Sequence, residues 1–247
     1  MAQSLSISFG NFLYHRCFPL YRIMYRSFKN RQDAFEISLM RKYIKPGDTI
    51  LDIGANIGFY ASLLSEMTGD KGQVHCFEPD TTNFEHLRKR CASLGNVRIN
   101  NKAVADTTQT LKIYTSKQLN VDHRTYKPDD YDQEIDIDAV AIDDYLKGQT
   151  VQFIKMDIQG FEMSAAKGMA NALANPSLKL LSEFWPYGMR KAGSSVLEYY
   201  TLLKQYGFYV YLIENQNLTE LTEERVKSIL DRPESDYMNI FASKQRV

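Results

Sequence analysis

The chain is poor in cysteine, has no long apolar run and carries no surplus charge. Its three cysteines, Cys17, Cys76 and Cys91, lie far apart without C-x-x-C spacing, so neither a disulfide framework nor a zinc site is indicated. Buried or idle thiols in a reducing cytosol are the expectation. Nowhere do eighteen apolar residues follow one another, and the start MAQSLSISFG has neither a basic n-region nor a long apolar stretch. A cytoplasmic protein with no membrane span is therefore expected. Thirty basic side chains offset thirty acidic ones, so no overall field favours nucleic acid or an anionic membrane, although local patches stay open. Repeats, low-complexity tracts and interdomain linkers are absent as well. What is present is a hydrophobic content of 44% over 247 residues, enough for one large α/β domain with a small addition.

The most informative stretch is LDIGANIGFY, Leu51 to Tyr60, followed by VHCFEPD with Glu78. It predicts a strand, a Gly54-x-x-x-Gly58 loop and a helix. Gly54 lets the backbone approach a ligand, Gly58 lets the next helix pack closely, and the free N–H groups of that helix face the ligand. Glu78, twenty residues past Gly58, ends the next apolar strand, where a carboxylate can accept both hydroxyls of a ribose. A dinucleotide loop reads G-x-G-x-x-G, whereas here Ala55-Asn56 follow Gly54 and Asp52 sits in the strand end. A carboxylate there repels a pyrophosphate and suits a ligand with an amino group and a sulfonium, as in S-adenosylmethionine. The bland alternative is a pair of glycines that only tighten a strand-to-helix turn.

Alternating strands and helices on both sides of this motif predict a doubly wound, mostly parallel sheet. Ahead of it, Tyr14, Phe18, Tyr21, Tyr25 and Phe28 recur at helical spacing among Arg16, Arg22, Arg26 and Lys29. That stripe predicts an N-terminal helical extension over 1–45, packed on its own domain or across a homodimer, with a lid or a membrane-surface contact as alternatives. Residues 46–247 are expected to form the main domain. Short strands are expected near Val97–Asn101, Leu111–Thr115 and Ile135–Ile142, with a polar segment, 116–134, between the last two. VQFIKMD, Val151 to Asp157, reads as a buried strand feeding a helix through Gly168 to about Leu173. Ser195 with Glu198 predicts a capping box.

With these residues located, the chain resembles the FkbM-type family of class I S-adenosylmethionine-dependent methyltransferases. The resemblance rests on LDIGANIGFY, HCFEPD, NKAVAD (Asn101 to Asp106) and IKMDIQGFE (Ile154 to Glu162), and spans roughly Asp48 to Phe241. It implies a seven-stranded sheet whose last strand is inserted antiparallel, and methylation of a hydroxyl on a sugar, glycan or natural product. It also implies that Asp52, Gly54, Ala55, Asn56, Gly58, Phe59, Tyr60, Glu78, Ala103, Asp106 and Asp157 hold the cofactor, with Ala103 and Asp106 beside the adenine. The family signature has glutamate where this chain has Gln159, which removes a charge beside Asp157. Asp106 could instead start a turn toward Leu111.

Methyl transfer to a hydroxyl needs an aligned acceptor and a group that takes its proton. Asp157, at the end of the central strand, is a candidate base, metal ligand or acceptor holder; its alternative is a helix cap. His123 and Arg124, in the polar segment, could supply a base and an anion clamp, or simply be a solvated loop. Glu183 could bind metal, orient His123 or hold the acceptor, and a structural ion pair is equally consistent. Trp185 and Tyr187 could stack on a sugar or pack a helix. Metal dependence stays open, since Asp157 and Glu183 supply oxygen ligands but no dense acidic cluster is visible. No Asn/Asp-Pro-Pro-aromatic tetrad follows the central strand, which disfavours nucleic acid as substrate. A noncatalytic cofactor-binding subunit and an NAD-dependent oxidoreductase are the competing readings.

Overall fold

The computed structural model describes residues 13–14, 16–114 and 134–247. Helices α1 (Phe18–Gln32) and α2 (Ala34–Tyr43) precede a βα alternation of β1 (Thr49–Ile53), α3 (Phe59–Thr68), β2 (Gln73–Phe77), α4 (Thr81–Cys91) and β3 (Val97–Asn100). Strands β4 (Ala103–Val104), β5 (Gln109–Tyr114) and β6 (Glu134–Val140) form a separate three-stranded sheet in the order β4-β6-β5. The chain then runs through α5 (Ile142–Leu146), β7 (Phe153–Met156), α6 (Glu162–Lys167), α7 (Ala170–Ala174), β8 (Lys179–Phe184), α8 (Pro186–Lys191) and α9 (Val196–Gln205). It closes with β9 (Tyr209–Glu214), β10 (Asn217–Glu220), α10 (Glu223–Ser228) and β11 (Met238–Ser243).

The main sheet has the order β10-β9-β11-β8-β7-β1-β2-β3. Pairs among β3, β2, β1, β7 and β8 are parallel, and β11 enters antiparallel to both β8 and β9. The doubly wound expectation and the inserted last strand therefore hold. The seven-stranded expectation is short by one strand. Asn215 and Gln216 both take positive φ, 51° and 58°, and link β9 to β10 by a two-residue hairpin of the kind that needs left-handed backbone at both turn positions. Lacking the usual Asn-Gly pair, the turn is inconspicuous in the sequence.

The helix expected to run through Gly168 is two short helices, broken at Gly168-Met169. A Cβ on Gly168 would lie 2.0 Å from the Ala105 carbonyl oxygen, so the chain passes too close to the small sheet to carry a side chain there. Ser195 caps α9 by accepting the Glu198 N–H (3.2 Å), while its hydroxyl donates to the Glu198 carboxylate (2.9 Å). Only half of the reciprocal capping box forms.

Strand alternation sends side chains to two cores. Leu51, Ile53, Ile154, Met156 and Leu180 face α6 to α9, and Ile50, Val74, Phe153 and Leu181 face α2, α3 and α4. Helix α2 belongs to the second core through Ile37, Leu39 and Met40, whereas α1 has no buried residue. By the same alternation Asp52 and Lys155 project to the second face. They are register partners across β1 and β7.

Candidate active site

A cleft opens at the carboxyl ends of β1, β2 and β7, where the strand order reverses between β1 and β7. That is where a doubly wound sheet leaves room for a ligand. Its floor is Ile53 to Ile57, its walls carry Phe59, Tyr60, Glu78, Ala103, Lys155 and Asp157, and Tyr25 and Lys29 of α1 roof it. Gly54 takes φ +80°, and a Cβ there would meet the Asp157 carbonyl oxygen at 1.9 Å. Only glycine lets the two loops close the cleft floor.

Asp52 is completely buried and does not line the cleft. Its two carboxylate oxygens have no hydrogen-bond partner among the described residues. The Lys155 ammonium stands between it and the cleft, 3.9 Å from Asp52 Oδ1, 3.7 Å from Asp157 Oδ2 and 3.3 Å from the Gly54 carbonyl oxygen. It also lies 5.0 Å from the centre of the Tyr60 ring. Burial pushes the Asp52 carboxyl up to about 6, with Lys155 opposing and Asp157 adding to the rise. The sequence reading gives Asp52 a direct ligand contact; the structure puts Lys155 in front of it.

Glu78 accepts two backbone N–H bonds, from Asn56 (2.8 Å) and Asp80 (3.0 Å). These clamp the glycine loop to the end of β2. Burial outweighs the two donors and raises the Glu78 carboxyl to about 8. Asp80 in turn caps α4 by accepting the Asn83 N–H at 2.7 Å. On the opposite wall the Gln159 amide donates to Asp157 Oδ1 (3.1 Å) and to Glu183 Oε1 (3.4 Å). Gln159 sits at φ +56°, a sparsely populated conformation for a side chain of this size. An amide can bridge two carboxylates, and a glutamate at this position could not.

Residues 52–210 match the methyltransferase FkbM domain. The chain belongs to the FkbM family of class I S-adenosylmethionine-dependent methyltransferases. It is 25% identical over 163 residues to the hexuronic acid methyltransferase AglP of Haloferax volcanii, covering 60% of each chain. Among solved structures it resembles an FkbM methyltransferase from Methylobacillus flagellatus (TM-score 0.51, 19% identity), covering 83% of this chain and 50% of that one. It also resembles a putative methyltransferase from Streptococcus mutans in complex with SAH (TM-score 0.53, 11% identity), covering 86% and 97%. This chain thus spans 60% of AglP and half of the Methylobacillus chain. At these identities the solved structures speak for the fold alone.

Within this FkbM domain the expected site residues separate into groups. Gly54, Ala55, Asn56, Phe59, Tyr60, Glu78, Ala103 and Asp157 meet at the cleft. Gly58 lies outside its wall, and a Cβ there would meet Leu87 Cδ1 of α4 at 2.8 Å, so its glycine serves helix packing. Asp106 is exposed and also off the wall, its carboxylate accepting from Gln109 at 3.3 Å. That position matches the turn alternative. Glu183 is buried behind Gln159 and is not a lining residue. Trp185 is buried and donates its indole N–H to the Glu234 carbonyl at 3.0 Å, so it packs. His123 and Arg124 lie outside the described residues. Among the described residues no group of three or more His, Cys, Asp or Glu side chains could hold a metal ion. No described helix is long and apolar enough to cross a membrane.

Lys155 and Lys102 line the FkbM cleft without having been singled out from sequence, and Tyr25 and Lys29 of the N-terminal stripe join them. For Lys155 a signal existed: a lysine inside the apolar run VQFIKMD must find a charged partner if the strand is buried. Tyr25 and Lys29 belong to the N-terminal stripe, for which a lid is one of the sequence alternatives, but that they meet this cleft depends on how α1 folds back. Asp33 holds that helix down, pairing with Lys29 at 2.6 Å and accepting a hydrogen bond from the Tyr60 hydroxyl.

Proposed function

We propose that the cleft binds S-adenosylmethionine and that the protein transfers its methyl group to an oxygen of a sugar, glycan or natural-product small molecule. The observation carrying this reading is the spacing of charge along one cleft. Glu78 stands at the end of β2, and Lys155 with Asp157 at the end of β7, separated by the Gly54–Ile57 backbone. A ribose fits the first and an amino acid end the second. Glu78 accepts the ribose hydroxyls, Asp157 receives the α-ammonium, and Lys155 meets the α-carboxylate. Asp52 is then a positioning residue that acts by holding Lys155.

When bound, the sulfonium supplies an activated methyl: as the acceptor oxygen bonds to the methyl carbon, the carbon–sulfur bond breaks and its electron pair stays on sulfur. What the chain must do is align the acceptor oxygen and exclude water, which the roof of Tyr25 and Lys29 supports. Asp157, engaged by the α-ammonium, Lys155 and Gln159, holds the donor, and the acceptor proton falls to another group. His123 and Arg124 remain the proposed base and anion clamp from the 116–134 segment. A sugar acceptor is supported by the likeness to a protein named for hexuronic acid methylation.

Calorimetric titration of the full chain with S-adenosylmethionine tests the donor, and transfer of labelled methyl to uronic acids and neutral sugars tests the acceptor. A uronic acid offers hydroxyls and a carboxylate, so alkali stability of the product separates an ether from an ester. Binding of NAD without S-adenosylmethionine would overturn the donor assignment, and labelled nitrogen or carbon in the product the acceptor chemistry. Turnover that survives chelation would remove the metal from consideration.

A further inference from the structure

Helix α1 shows two unlike faces. Inward, Phe18 stacks on His86 (ring centres 3.6 Å apart, planes 12° apart) and Tyr25 packs edge-on against Phe59 at 6.3 Å. Outward, Leu20, Ile23, Met24 and Phe28 are 45%, 64%, 45% and 59% exposed. Their spacing puts them on one continuous apolar stripe. Arg16, Arg22, Arg26 and Arg31 are exposed along the same helix and its approach, and no acidic residue occurs from Arg16 to Gln32.

Beside Ile23 the helix forms a hollow against α3 and α4, where Arg22 and Arg26 meet Arg90. Arg90 donates from Nε to Ser62 Oγ at 2.9 Å, and its Nη1 is buried with no hydrogen-bond partner among the described residues. Three guanidinium groups facing one hollow, with Glu66 the single acid on its rim, call for an anion.

We propose that α1 docks the protein on an anionic phospholipid surface. The Leu20, Ile23, Met24 and Phe28 stripe enters the boundary between headgroups and acyl chains, while Arg16, Arg22, Arg26 and Arg31 meet lipid phosphates. The charge pattern selects this occupant. A second copy packed stripe to stripe would set arginines against arginines, and a neutral surface would leave them unmatched. Because the whole chain is neutral, no overall charge adds to this attraction. It does not depend on which acceptor is methylated.

The test is flotation of the full chain with phosphatidylcholine vesicles prepared with and without phosphatidylglycerol. Partition at least about tenfold stronger onto the anionic vesicles is expected, weakening as salt is raised. Ile23→Glu/Phe28→Glu should abolish it while melting temperature and S-adenosylmethionine binding stay unchanged, since both side chains point to solvent. Arg22→Gln/Arg26→Gln should erase the preference for the anionic lipid. Equal partition onto both vesicle types, or unchanged partition of Ile23→Glu/Phe28→Glu, overturns the proposal. So does a dimer in sedimentation equilibrium that Ile23→Glu/Phe28→Glu dissociates, without any vesicle binding, for then the stripe pairs two copies.

Discussion

Lys155 Nζ lies 3.9 Å from Asp52 Oδ1, across neighbouring strands and on the same face of the sheet. Neither side chain reaches bulk water to any extent, with exposures of 8% and 0%. The pair is close enough to share charge and too far apart to hydrogen-bond, which leaves both Asp52 carboxylate oxygens buried without a hydrogen bond among the described residues.

Removing one partner should therefore hurt more than removing both. Lys155→Met leaves Asp52 buried and uncompensated, a loss of about 3 kcal/mol by the usual cost of breaking a buried pair. Asp52→Asn/Lys155→Met should recover at least half of that in urea unfolding. A single variant as stable as the parent would show that the two groups are not coupled.

Glu78 makes the stability of the folded chain fall as pH rises. Its carboxyl titrates near 8 folded against 4.5 ordinarily, so between these values the folded chain holds a proton that the unfolded chain releases. Its contribution to stability is complete below 4.5 and is lost as pH rises through about 8. Thermal melts of the ligand-free protein should fall across that window, and Glu78→Gln should flatten the fall. Affinity for S-adenosylmethionine should run the other way, rising as the carboxylate forms. The Gln variant should bind about thirtyfold more weakly at high pH, the worth of about 2 kcal/mol of charged hydrogen bonding.

Gln159→Glu would replace an amide donor to Asp157 and Glu183 by a third carboxylate. The expected cost is about 1–2 kcal/mol at neutral pH, shrinking in acid as the new carboxyl takes up a proton. Chemical unfolding at two pH values checks it. A variant equally stable at both would show that the amide bridge carries no energy.

The two loop glycines should differ in tolerance. Gly54→Ala places a methyl 1.9 Å from a backbone oxygen at φ +80°, whereas Gly58→Ala at φ +82° comes closest to two movable side chains, Leu87 Cδ1 at 2.8 Å and Arg90 Cδ at 3.2 Å. We expect Gly54→Ala to cost about 3 kcal/mol or more, or to abolish folding, and Gly58→Ala about 1–2 kcal/mol. Soluble yield and melting temperature rank the two, and an equal ranking would remove the close approach of Gly54 to Asp157 as its cause.

Local chemistry made much of this legible beforehand. LDIGANIGFY announces its strand, loop and helix because glycine spacing and apolar alternation act over a few residues, and HCFEPD and the Ser195 cap are equally short-ranged. Several expectations needed distant partners. Asp106 reads the same whether it faces a cleft or a turn, and Gly58 the same whether it meets a ligand or Leu87. Trp185 differs from a sugar-stacking tryptophan because it is buried, with its indole N–H given to the Glu234 carbonyl oxygen.

Sequence alone determined the doubly wound class, the glycine loop and the acid at the end of β2, since each follows from local backbone preference and strand periodicity. Only the tertiary structure decided that Lys155 screens Asp52 from the cleft, that Gln159 joins Asp157 to Glu183, and that α1 folds over the site with its apolar stripe outward. Those outcomes depend on which strands become neighbours and in what register, and pairing energies between residues far apart in the chain are not written in any single segment of it.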